Sequence, residues 1–90
     1  METLLADLNE AEKILSEYSG GYSGRYFSAE EFHADLLDRI KKLESGEKKV
    51  IEDLWIWFAP ISQWDDFVGD VHLGDRIFQR LDQIKRNLVL

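Results

Sequence analysis

The chain has no cysteine, a single proline and two histidines among its 90 residues. Without thiols, neither a disulfide framework nor a thiolate metal site is available, so packing and helix capping must hold the fold. The absence also fits a reducing cytoplasm. No apolar run exceeds Leu54 to Ala59, far short of the ~20 residues a membrane span needs. The opening Met1-Glu-Thr-Leu-Leu-Ala-Asp has no basic residue and only a broken apolar run, so it does not read as a secretory leader. Basic residues are missing from long stretches: Ile51 to Asp75 holds six acids and no Lys or Arg.

What is present is apolar material and negative charge. At 44% hydrophobic, with three Trp, three Tyr and five Phe, the chain can build one core. A chain this short buries only ~60–65% of its unfolded surface, enough for a single domain spanning residues 1–90. The net charge of −7 is unevenly placed. Residues 1–38 carry nine acids against Lys13 and Arg25, whereas residues 39–50 and 76–90 are each net positive. A field of this sign repels phosphate backbones and anionic membranes and steers a basic protein in.

Helical periodicity dominates. Leu4, Leu8, Ala11, Leu15 and Tyr18 form one stripe, and Ser19-Gly20-Gly21 is expected to end that helix near Tyr18. The loop to Phe27 mixes glycine with Tyr22 and Tyr26, a composition favoured in recognition loops; the equal alternative is that these aromatics fold back onto the core. Ser28 and Glu31 make a capping box, with Phe27 and Phe32 at the two positions of a hydrophobic staple. The second stripe runs Phe32, Leu36, Ile40, Leu43, and Gly46 supplies its terminator. A third helix is expected from Glu47 to about Ala59, apolar nearly all round in its second half and stopped by Pro60. Ser62 is placed to cap a short fourth turn with Asp65 at its third position and Gly69 at its end. Leu73, Ile77, Leu81, Ile84 and Leu88 then mark a last helix, flanked by Phe78. The expected fold is all-α: a compact antiparallel bundle of four main helices plus one short helical turn.

No constellation carries catalysis. The serines sit at caps, in loops or on polar faces, and no nucleophile elbow or phosphate loop is present. His33 and His72 stand in no zinc-binding arrangement. Asp65, Asp66 and Asp70 offer hard oxygen ligands, but without the alternation and terminal Glu of a calcium loop. Helix-end charges or partner contacts fit them better, and no metal or other cofactor is expected. Trp55 and Trp57 point ~200° apart on a helix, so one faces the core and the other shields a surface. Trp64, beside Asp65-Asp66, reads as the more exposed candidate of the three, an aromatic anchor rimmed by charge, against the alternative that a Trp in so small a domain is simply core.

Four segments occur together in order: Tyr18-Ser-Gly-Gly-Tyr, Arg25-Tyr-Phe-Ser-Ala-Glu-Glu-Phe-His, Leu54-Trp-Ile-Trp-Phe-Ala-Pro and Trp64-Asp-Asp-Phe-Val-Gly. In this the chain resembles small acidic bacterial immunity proteins of polymorphic toxin systems, of the contact-dependent inhibition and Rhs type. The resemblance implies a cytoplasmic, non-enzymatic protein that binds and neutralises one toxin domain, often a nuclease. It supplies no residue-by-residue binding motif. From the residues themselves, Tyr22, Tyr26, Trp64, Asp65, Asp66 and Asp70 are the expected partner contacts, with no nucleic acid or membrane involved and a monomer favoured. The alternative is a non-catalytic adaptor or self-associating helical domain using Trp55 or the Leu88-Val89-Leu90 tail.

Overall fold

Apolar side chains at helical spacing shape almost all of this chain, as a computed structural model shows. It describes residues 2–21, 26–60 and 62–88; Tyr22, Ile61 and the Val89-Leu90 tail lie outside these, as does the Leu88 side chain. Five helices and no strand occur among the described residues. They are α1 (Glu2–Leu15), α2 (Ala29–Glu44), α3 (Val50–Phe58), α4 (Gln63–Phe67) and α5 (Val71–Leu88).

The four long helices close a ring in which α1 packs on α2 and α5, and α3 packs on α2 and α5. Neighbours run antiparallel. Along the α1–α2 seam Glu12 meets His33 and Gly20 meets Ala29; along α2–α3, Phe32 meets Trp57 and Arg39 meets Asp53. Residues from all four long helices meet in one core, with Leu8, Ala11, Leu15, Phe32, Leu36, Leu54, Ile77 and Leu81 fully buried. A buried carboxylate ties the α1–α5 seam. Arg76 donates to both oxygens of Asp7, at 3.1 and 3.2 Å, and Arg80 lies 3.2 Å from the same carboxylate.

Capping follows the sequence closely on α2. Ser28 Oγ accepts from the Glu31 N–H at 3.2 Å, and Glu31 Oε1 reaches back to accept from the Phe27 N–H at 2.7 Å. At the other end Gly46, at φ 97°, forms a Schellman motif: its N–H donates to Leu43 and the Glu47 N–H to Lys42. Because Glu47 is consumed in that terminator, α3 starts at Val50 rather than at Glu47. Ala59 adopts extended backbone before Pro60, ending α3 as expected.

Several local expectations are overturned. The four-residue bonding of α1 ends with Ser16, whose N–H donates to Glu12; Glu17 and Tyr18 donate only three residues back, and the tighter turn swings Tyr18 off the stripe into solvent. The staple does not form, because Phe27 points outward and Tyr26 packs on Phe32 in its place, ring centroids 5.4 Å apart. Ser62 occupies the N-cap position of α4, yet its hydroxyl bonds the Gln63 side chain and not the helix.

Trp64 is the largest correction. Expected at the surface, it is fully buried against Phe58, its indole N–H donating to the Asp70 carbonyl at 2.9 Å. Gly74 in α5 makes the space: a Cβ there would stand 2.6 Å from Trp64 Cδ1 and 2.7 Å from Nε1. Trp57 is core, edge-on to Phe32, while Trp55 covers the α3–α5 seam. Its N–H donates to Asp82 at 3.1 Å, Phe78 lies on its ring, and Lys85 Nζ sits 4.1 Å from the ring centroid.

Candidate functional site

Antiparallel packing sorts the charge blocks of the sequence onto opposite ends of the bundle. The end of α1, the start of α2, the end of α3, the whole of α4 and the start of α5 gather at one end. Three contacts tie them: Ala29 N–H donates to the Gly20 carbonyl at 2.8 Å, Phe67 stacks on Phe32 at 5.5 Å, and Gly21 lies against the Phe67 ring. Lys41, Lys42, Lys48, Lys49, Lys85 and Arg86 belong to the other end of a molecule 38 Å long.

The first end is acidic. Glu17, Glu30, Glu31, Asp65, Asp66 and Asp75 are all exposed there. Residues 16–21, 26–31 and 62–75 contain no Lys or Arg; Lys13 stands exposed in the last turn of α1, and Arg25 lies outside the described residues. Glu30 is held below the ordinary carboxylate range, chiefly because the Gly20 backbone N–H donates to it at 2.9 Å. Its negative charge is therefore secure at neutral pH.

The same end shows most of the misplaced apolar surface. The exposed large hydrophobics among the described residues are Tyr18, Phe27, Ile56 and Val71. Tyr18 follows α1, Phe27 precedes α2, Val71 opens α5, and Ile56 sits in the last turn of α3. Phe27 is the extreme case at 80% exposure. Beside it, Tyr26, Glu31, Ala34 and Asp35 line an open cleft of about 370 Å³.

The residues expected as contacts divide sharply. Asp65 and Asp66 stand exposed on α4, as a docking role requires. Asp70 is half-buried and occupied: Oδ1 accepts from the Leu73 N–H at 3.1 Å, capping α5. Tyr26 is only 4% exposed, its ring between Phe32 and Trp57 and its hydroxyl donating to Asp35 at 2.8 Å. Trp64 is enclosed in the core, so neither aromatic offers its face to a partner. Tyr22 lies outside the described residues. Phe27, Val71 and Glu30 were not anticipated. Two adjacent aromatics precede α2, and nothing local says which turns inward.

Among the described residues, no three acidic or histidine side chains converge as a metal site. His33 Nε2 lies 3.0 Å from Glu12 across the α1–α2 seam, and His72 is exposed. What the end can do is attract and hold: six carboxylates set the field, and protruding apolar groups supply area to bury. No protein-family description, curated protein or solved structure matches the chain.

Proposed function

We propose that this chain is an immunity protein that binds and neutralises a cognate toxin domain, a basic nuclease, through its acidic end. One observation carries the reading: the exposed hydrophobics Phe27, Tyr18 and Val71 fall on the same end as six exposed carboxylates. Solvated charge alone serves solubility. Charge around protruding aromatics has the make-up of an interface, with anchors at the centre and a polar rim.

The partner's chemistry follows from this. A nuclease must bind phosphate and so presents a basic cleft, which an acidic, aromatic surface can occupy in competition with substrate. Carboxylates speed the encounter, and buried aromatic area slows release. Such a protein works in the cytoplasm, where it meets the toxin, and no helix among the described residues is long and apolar enough to cross a membrane. The alternative is a helical adaptor that self-associates through Trp55 or the Leu88-Val89-Leu90 tail. It has less support at Trp55, where Phe78, Asp82 and Lys85 already engage the ring, and the side chains of the tail lie outside the described residues.

Co-expression with the toxin encoded by the neighbouring gene tests the proposal. The chain is expected to co-purify with the toxin domain and to restore growth of cells producing it. Replacing Glu17 and Asp75 with lysine should slow association and flatten its salt dependence while leaving dissociation nearly unchanged. A chain that neither binds nor protects refutes the function.

A further inference from the structure

Phe27 differs from every other large apolar residue described. It is 80% exposed, yet its backbone is held from both sides. Its N–H is bonded to Glu31 Oε1 at 2.7 Å, and the next residue, Ser28, caps α2. Tyr26, the preceding residue, is anchored in the core by Phe32, Trp57 and Asp35. A rigid stem thus presents a free ring. An aromatic side chain with a fixed backbone loses little conformational entropy on binding, so most of its buried area counts toward affinity.

We infer that Phe27 is the anchor of the partner interface and enters an apolar pocket on the partner that is bordered by Lys or Arg. This rests on the functional reading above and names the feature that recognises the toxin domain. Charge selects the occupant. Glu30 and Glu31 flank the α2 start directly, and the six exposed carboxylates of this end outweigh Lys13 in the last turn of α1. A second copy of the chain would bring like charge against like, whereas a basic rim brings opposite charge to the same carboxylates.

The test is Phe27→Ala in the full chain, measured against the toxin domain of the neighbouring gene by calorimetry or biolayer interferometry, with Tyr18→Ala as a comparison. Phe27→Ala is expected to weaken binding at least ~30-fold, mainly through faster dissociation, and to leave the melting temperature within about 2 °C. Tyr18→Ala should weaken binding less. Tight binding by unaltered chain and Phe27→Ala alike overturns the anchor while leaving the function standing. Absence of binding by the unaltered chain overturns both. Sedimentation of the chain alone should give a monomer; a dimer abolished by Phe27→Ala would show that a second copy covers the ring and overturn the inference.

Discussion

Replacing Gly74 with alanine sets two effects of opposite sign against each other. Gly74 lies in the first turns of an 18-residue helix, where alanine should gain up to ~1 kcal/mol in helix propensity. Against this, the new methyl would stand 2.6 Å from Trp64 Cδ1 and 2.7 Å from Nε1. Trp64 is completely enclosed and cannot swing aside. Overpacking of this kind costs ~1–3 kcal/mol. Any shift of the indole also loosens its 2.9 Å bond to the Asp70 carbonyl, and a buried N–H left unpaired costs a further ~1–3 kcal/mol. The clash wins, with a net destabilisation of ~2–3 kcal/mol. For a chain of this size that lowers the melting temperature by roughly 10–20 °C. Thermal and urea unfolding, followed by circular dichroism and tryptophan fluorescence, read it directly. In a Trp64→Phe background, where the facing pyrrole edge is gone, the same substitution should cost much less. A Gly74→Ala protein more stable than the parent, or a cost that stays the same in the Trp64→Phe background, would refute the proposed contact.

Three further substitutions probe the other supports. Ser28→Ala removes the oxygen that accepts from Glu31 and should cost ~1 kcal/mol by urea denaturation, without changing the slope of the transition. Asp7→Asn leaves Arg76 and Arg80 without their shared carboxylate; a loss of ~1–2 kcal/mol is expected because both arginines stay partly solvated, and half-molar salt should shrink the difference. Glu30 has its pKa lowered in the folded chain, so its contribution is present above the unfolded carboxylate pKa and lost as pH falls through the folded one. The melting-temperature difference between parent and Glu30→Gln should therefore be constant from neutral pH to about 5 and vanish in stronger acid.

Features written within four residues of each other were the ones sequence could show. The Ser28–Glu31 box, the Gly46 terminator, the stop at Pro60 and the apolar stripes of α2 and α5 all depend on local spacing, and all form. The largest misreadings involve partners distant in the chain. Trp64 looks like a surface residue beside Asp65-Asp66 until Gly74 opens a slot ten residues later. Tyr26 and Phe27 are equivalent by composition; Asp35, two turns into α2, draws the hydroxyl of one inward and leaves the other outside. Of the candidate site, the acidic character was legible in the charge blocks, because antiparallel hairpins return block to block. The proposed anchor was not, since local rules placed Phe27 in a staple.

The acidic end is made from the terminal turns and connections of the helices, while the core is made from their stripes. Glu17, Phe27, Glu30, Asp65, Asp66 and Asp75 belong to the first set, and none of them is a member of the second. Under the proposed function, recognition could change at Glu17, Phe27, Asp65, Asp66 and Asp75 without touching the core, whereas Glu30, which accepts from the Gly20 N–H, also serves the fold. Each new partner would then ask for a few outward side chains to be rewritten, with the bundle beneath kept as a chassis.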